Sequence, residues 1–247
     1  VAHAEPIHLH PTATLAERVL LPGDPGRALA LAQSLLSEPL MFNHHRGLWG
    51  YTGQAVADGE LLTIQSTGMG GPSAAIVLTE LIALGARRAI RVGTCGALAR
   101  DLALGDFVVA RESICADGAS RALCAEARIA ADGPLTEALS AAAVSAAESG
   151  ASGRRAHTGT VVSVDLFYDP DPAGGASRGQ GAEGALAVEM EAATLFAVGA
   201  RAEIPVACVL TVSDTFSAEG ARQRIDDPAL LDGAEAMGAV AVAALSG

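Results

Sequence analysis

Arg18-Val-Leu-Leu-Pro-Gly-Asp-Pro-Gly-Arg27 reads as a buried strand that runs straight into a helix. Asp24 is placed to cap the helix N-terminus, and Pro25 suits its first turn, where an amide hydrogen has no partner to lose. Further short apolar runs bounded by turn residues predict strands over 61–66, 88–92, 107–110, 159–164 and 206–212. Stretches rich in Ala and Leu predict helices over 26–36, 72–84, 136–148, 190–200 and 228–245. This alternation predicts a single-domain α/β fold over 1–247, with a mixed, mostly parallel central sheet flanked by helices. In such sheets ligands sit beyond the C-terminal ends of the strands. Residues 169–184 concentrate Asp, Pro and Gly and are expected to form a mobile loop.

Composition narrows the chemistry. Of 247 residues half are apolar but only eight are aromatic, so the core must be built from Ala, Val, Leu and Ile. The formal charge of −12, with no basic run, argues against nucleic acid as a partner. All sixteen basic residues are Arg; without Lys there is no Schiff-base catalyst and no Walker lysine. The four cysteines form no C-x-x-C, and no histidine pair has ligand spacing, so neither a metal site nor a disulfide framework is expected. No apolar run is read as reaching the roughly 18 residues of a membrane span, and the N-terminus lacks the layout of a secretion signal. A cytoplasmic location with no membrane partner is expected.

Four constellations could carry chemistry. The turn Gly23 to Arg27 offers a helix N-terminus and a guanidinium to an anion, or is simply a capped turn. Arg91-Val-Gly-Thr-Cys-Gly96 puts an arginine in a buried strand, where it needs an anionic ligand or an internal carboxylate. Cys95 there reads as a small buried thiol rather than a nucleophile. Glu189-Met-Glu191 could complement a helix dipole or hold sugar hydroxyls. Asp214, just past a strand, could be a general acid or a helix cap. Ser66-Thr-Gly-Met-Gly-Gly-Pro72 lacks the spacing of a dinucleotide loop, and that reading is rejected.

Taken in order, with Ile7-His-Leu9 and His45-Arg-Gly47, these segments resemble the nucleoside phosphorylase family, which includes hexameric and trimeric purine nucleoside phosphorylases and uridine phosphorylases. The resemblance implies that Gly23, Arg27, Arg91 and Thr94 bind phosphate, with Arg46 reaching in from a neighbouring subunit. It implies that Glu191 holds the ribose 2′- and 3′-hydroxyls, that Met190 packs under the sugar, and that a neighbour's His8 bonds the 5′-hydroxyl. Glu189 and Ser213 belong to the same nucleoside-binding set. The implied reaction is attack of phosphate on C1′, with inorganic phosphate as co-substrate and no metal or organic cofactor. The implied assembly is a homo-oligomer with sites shared by two subunits, a hexamer built as a trimer of dimers.

The segment after the fifth strand bears on the base. Phe167 and Tyr168 resemble the purine-stacking segment of the hexameric enzymes, although packing of one ring in the core fits too. Where uridine phosphorylases carry a Gln and an Arg, this chain has Asp171 and Ala173. The resemblance makes Asp214 the acid that protonates purine N7, helped by an Arg on a following helix, either Arg222 or Arg224. The rivals are a uridine phosphorylase, a hydrolytic nucleosidase, against which the arginines argue, and an idle nucleoside-binding relative.

Overall fold

The computed structural model describes residues 5–149, 153–168, 182–216 and 221–246. Its first half contains β1 (Arg18–Leu21), α1 (Pro25–Leu35), β2 (Leu36–Asn43), β3 (Gly50–Ala55), β4 (Leu61–Gln65), α2 (Gly71–Leu84), β5 (Arg88–Ala97) and β6 (Phe107–Ala116). The second half adds α3 (Gly118–Leu123), β7 (Arg128–Ala130), α4 (Gly133–Ser149), β8 (Ala156–Val164) and β9 (Ala187–Glu189). The chain closes with α5 (Ala192–Ala202), β10 (Val206–Phe216), β11 (Arg222–Arg224) and α6 (Asp227–Leu245).

β4, β1, β5 and β10 lie side by side and parallel. Successive strand residues point to opposite faces, and the sequence fills both with apolar groups. Ile90 and Val92 of β5 and Ala207 and Val209 of β10 join a core with Leu31, Leu139 and Met237, under α1, α4 and α6. Ala89 and Cys95 of β5 and Cys208, Leu210 and Val212 of β10 join the other core, with Val77, Leu81 and Phe196 under α2 and α5. The result is a single-domain α/β fold with a mixed sheet between two helical layers.

Pairing is less parallel than the sequence pattern implies. β10 also pairs antiparallel with β6, β6 runs parallel to β8, β8 to β9, and β9 returns antiparallel to β5, so five strands close on themselves. The antiparallel hairpin of β2 and β3 forms one flank. Its β2 strand, with Pro39 and mostly exposed residues, carries no period of its own and exists because β3 pairs with it. β5, β6 and β10 each run past their predicted ends, because the added residues are held by sheet pairing rather than by apolar content. The predicted mobile loop lies, through residue 181, outside the described residues.

α6 corrects the membrane reading in one respect. Its 19 residues are apolar enough, by length and composition, to cross a bilayer, but half of its most apolar stretch is buried in the protein's own core. Met237, Val240 and Ala241 pack there against Leu31 and Leu139, which accounts for the apolar composition.

Candidate active site

β1, β5 and β10 deliver Gly23, Thr94 and Asp214 to the same end of the sheet, where they line a cavity of about 710 Å³. Asp24 Oδ1 accepts the amide of Arg27 at 2.6 Å, capping α1 and fixing its first turn at the cavity wall. Gly23 is tightly enclosed: a Cβ there would sit 3.3 Å from the Gly68 carbonyl, which would have to give by a few tenths of an ångström, and 4.0 Å from Arg91 Nη1. Burial pulls the Arg27 guanidinium below the ordinary arginine pKa; Asp24 opposes that, and the charge of Arg91 adds to it. Two guanidinium groups therefore converge on one glycine turn.

Arg91 is buried within β5, and internal carboxylates satisfy part of it. Nε donates to Glu189 Oε2 at 3.0 Å, and Nη2 lies 2.5 Å from Glu191 Oε2. Burial opposes its charge, and Glu191 with Glu189 more than offsets it, so its pKa is raised. Nη1 is different. It is buried with no hydrogen-bond partner among the described residues, and it is the nitrogen nearest Gly23. Of the two sequence alternatives for Arg91, the internal carboxylates take two nitrogens, and Nη1 is left without a partner among the described residues.

Glu189 corrects an expectation. Its side chain is fully buried, accepting from Arg91 Nε, from the amides of Glu191 and Ala192, and from the Ser163 hydroxyl. Its oxygens are spent on fixing Arg91 and the start of α5, so it positions the site rather than holding a sugar. Glu191 accepts the Gly70 amide at 2.5 Å and faces Arg91. A carboxylate offers about four acceptor directions, so two ribose hydroxyls can still be served. The Gly70 contact gives the rejected glycine-rich loop its purpose: Gly68 and Gly70 both have positive φ, +73° and +85°, which turns this amide towards Glu191. Reading that loop as a backbone donor would have found it from sequence.

At the other end, the register of β10 against β5 shifts between Val212 and Asp214, an irregularity of the kind that re-aims a side chain. Asp214 Oδ2 accepts the Ser213 hydroxyl at 2.7 Å, and Oδ1 accepts Arg222 Nε at 2.7 Å, with Arg224 Nη1 at 3.6 Å. Ser213 therefore orients Asp214 from behind. The arginines sit on β11, a strand paired antiparallel with β10, and not on a helix. Three exposed residues, Arg-Gln-Arg, carry no strand signal; the hairpin register alone puts Arg224 opposite Asp214. Arg222 also lies over the Phe167 ring, 4.5 Å from its centroid. Phe167 and Tyr168 are 51% and 86% exposed and meet edge to face at 5.0 Å, so neither ring is a core residue. Met190 completes the wall between them and Glu191. Asp171 and Ala173 lie outside the described residues.

Cys95 is buried, and burial pushes its thiol well above the ordinary range, in keeping with a packing role. His8 is away from the cavity. Its Nδ1 lies 2.6 Å from Glu80, whose carboxylate also accepts the amides of Ile7, His8 and Leu9. Arg46, expected to reach in from a neighbouring subunit, lines the cavity of its own chain. It sits at φ 58° in the tight turn His45–Gly47, which Asn43 Nδ2 holds by donating to the Leu48 carbonyl.

The chain matches the model of the phosphorylase superfamily over residues 17–246. It is 39% identical, over 84% of its length and 86% of the relative's, to the purine nucleoside phosphorylase DeoD-type of Jannaschia sp.. It is 37% identical to the protein of the same name from Caldanaerobacter subterraneus, over 82% of this chain and 84% of the relative. Among solved structures it superposes on uridine phosphorylase from Vibrio fischeri with a TM-score of 0.78 and 26% identity, covering 94% of this chain and 92% of that one. With the ordered motifs and the shared architecture, this match means that the chain belongs to the phosphorylase superfamily.

Proposed function

We infer that purine nucleoside phosphorolysis is the reaction of this cavity. The chain is an enzyme that transfers the sugar of a purine nucleoside to inorganic phosphate. The observation that carries the reading is the unpartnered, buried Arg91 Nη1 near Gly23, in the cavity that Arg27 also lines. Burying an unmatched donor is costly, and a phosphate oxygen is the acceptor that fits two converging guanidiniums. A site for water alone would not need them.

Phosphate bound by Gly23, Arg27, Thr94 and Arg91 attacks C1′ while the C1′–N9 bond breaks and its electron pair passes to the base. The ribose becomes oxocarbenium-like, and the adjacent phosphate charge stabilises it. Glu191 holds the hydroxyls, Met190 lies along the sugar, and Phe167 with Tyr168 faces the purine. Asp214 gives its proton to N7; Arg222 Nε, already on Oδ1, stabilises the carboxylate left behind. Arg222, with the shorter contact, takes the assisting role over Arg224. Phosphate is a co-substrate, and the chemistry so assigned uses no metal or organic cofactor.

The reading extends to assembly. Glu80, itself held by three backbone amides, fixes the His8 ring, which does not line its own cavity, and this suits a histidine that serves the site of a second copy. The assembly proposed is a homo-oligomer, a trimer of dimers, and the location proposed is the cytoplasm. The experiment is incubation of the enzyme with adenosine, inosine and uridine, with and without phosphate. Phosphate-dependent release of purine base with ribose 1-phosphate is expected. Equal release of free ribose without phosphate would overturn the reading, and release of uracil alone would favour the uridine phosphorylase rival.

A further inference from the structure

Cys115, at the end of β6, and Cys124, which caps α3, are nine positions apart in sequence, and their sulfurs lie 3.6 Å from each other. Both are free thiols. Cys115 is buried, whereas Cys124 is half-buried and reachable from solvent. The backbone holds the pair from both sides. The Cys115 amide donates to the Ala127 carbonyl at 2.9 Å, its carbonyl accepts Arg121 Nε at 2.9 Å, and the Cys124 amide donates to Ser120 at 2.9 Å. A disulfide needs about 2.05 Å between sulfurs, so closure asks for roughly 1.6 Å of approach from the observed contact. Rotation of the half-exposed Cys124 side chain can supply most of it.

We propose that Cys115 and Cys124 are a reversible oxidation site, closed by exchange with a small-molecule disulfide such as oxidised glutathione. Attack begins at the accessible sulfur: the Cys124 thiolate, its proton lost to water, displaces one glutathione thiolate and forms a mixed disulfide. Cys115, deprotonated in turn, attacks Cys124 Sγ and displaces the second. Two protein thiols lose two electrons and two protons, and one glutathione disulfide becomes two thiols. Burial pushes the Cys115 thiol up to about 11, which slows the second step and favours reaction under mildly alkaline conditions. The cross-link would tie the end of α3 to β6. The first amide of α3, Gly118, donates to Asp165 at 2.9 Å, two residues before Phe167. Oxidation therefore stiffens the support of the base-facing segment without touching a group that contacts the reacting atoms.

The test is to incubate the folded enzyme with oxidised glutathione at pH 8, quench with acid, unfold, alkylate and digest after arginine. Cleavage after Arg121 separates peptide 112–121 from peptide 122–128. The expected result is that two thiols are alkylated instead of four, the two peptides are joined with loss of two hydrogens, and dithiothreitol restores all four. Cys124→Ser should abolish the joined species while leaving phosphorolysis unchanged. Four alkylated thiols after oxidation, a glutathione adduct on Cys124 that never resolves, or a link to Cys95 or Cys208 would overturn the proposal. None of these readouts depends on the identity of the nucleoside.

Discussion

Arg91 Nη2 lies 2.5 Å from Glu191 Oε2, so the arginine assigned to phosphate and the carboxylate assigned to ribose form one buried unit. Glu189, on the Nε side of the same guanidinium, locks that unit to the start of α5. In the proposed reaction this unit would hold nucleophile and sugar at a fixed separation, which is how orientation lowers a barrier.

Arg91→Ala should lose about 30- to 1000-fold in kcat/KM for phosphate, the size expected when a charge-assisted contact to the transition state is removed. Initial rates over a phosphate series measure it. Circular dichroism on the same sample checks that the fold survives the loss of a partner for two buried carboxylates. A folded variant with wild-type phosphate kinetics would show that Arg91 serves only Glu189 and Glu191.

Asp214→Asn keeps the shape and a donor but has no acidic proton for N7. A 6-oxopurine can still bond the amide through N7 or O6, whereas a 6-aminopurine depends on the proton. The variant should lose at least about tenfold more kcat/KM on adenosine than on inosine, a part of the roughly 10²- to 10⁴-fold that general acid catalysis contributes in full. Equal losses on both substrates would remove Asp214 from the role of acid.

Subunits carrying His8→Ala and subunits carrying Glu191→Ala should each be nearly inactive alone. Unfolded together and refolded, they should regain activity, since a mixed pair has one site free of both changes if His8 crosses between copies. The assay is phosphorolysis after mixing has been verified by mass spectrometry. Absence of recovery in confirmed mixed oligomers would confine each site to one chain.

Asp58 supplies the pH test of stability. Bidentate hydrogen bonds from buried Arg18, at 2.6 and 2.7 Å, hold its carboxyl well below the usual carboxylate range, with Ser246 at the end of α6 adding a further donor. A folded-state pKa below the unfolded one means stability that is present above the unfolded value and lost as pH falls through the folded value. Asp58→Asn should therefore lower stability at pH 7 by on the order of 1.5–3 kcal/mol, the worth of hydrogen bonds to a charged partner. The gap from wild type should narrow as pH is taken below about 4, where the unfolded carboxyl protonates. Urea melts at pH 7 and at progressively lower pH compare the two.

Local chemistry determined much of this protein. Asp24 and Pro25 start α1 as the sequence predicts, since a cap is a contact between residues three apart. The buried apolar runs of β1, β5 and β10 announce parallel strands because both of their faces must be covered. Local chemistry and motif order together brought Gly23, Arg27, Arg91, Glu191 and Asp214 under suspicion, and all five line one cavity. Other features rest on contacts between residues far apart in the chain, which no window of sequence contains. The strands β2, β9 and β11 show no apolar alternation, β9 and β11 being only three residues long, and form because a partner strand offers its edge. The division of labour in Glu189-Met-Glu191 was equally hidden. Two identical carboxylates two residues apart both meet Arg91, but tertiary packing gives Glu189 the amides at the start of α5 and the Ser163 hydroxyl, and gives Glu191 the amide of Gly70. The β10–β11 hairpin brought Arg222 and Arg224 to Asp214, and Arg46 entered its own cavity through one left-handed turn, since a side chain's neighbours depend on where the backbone is carried.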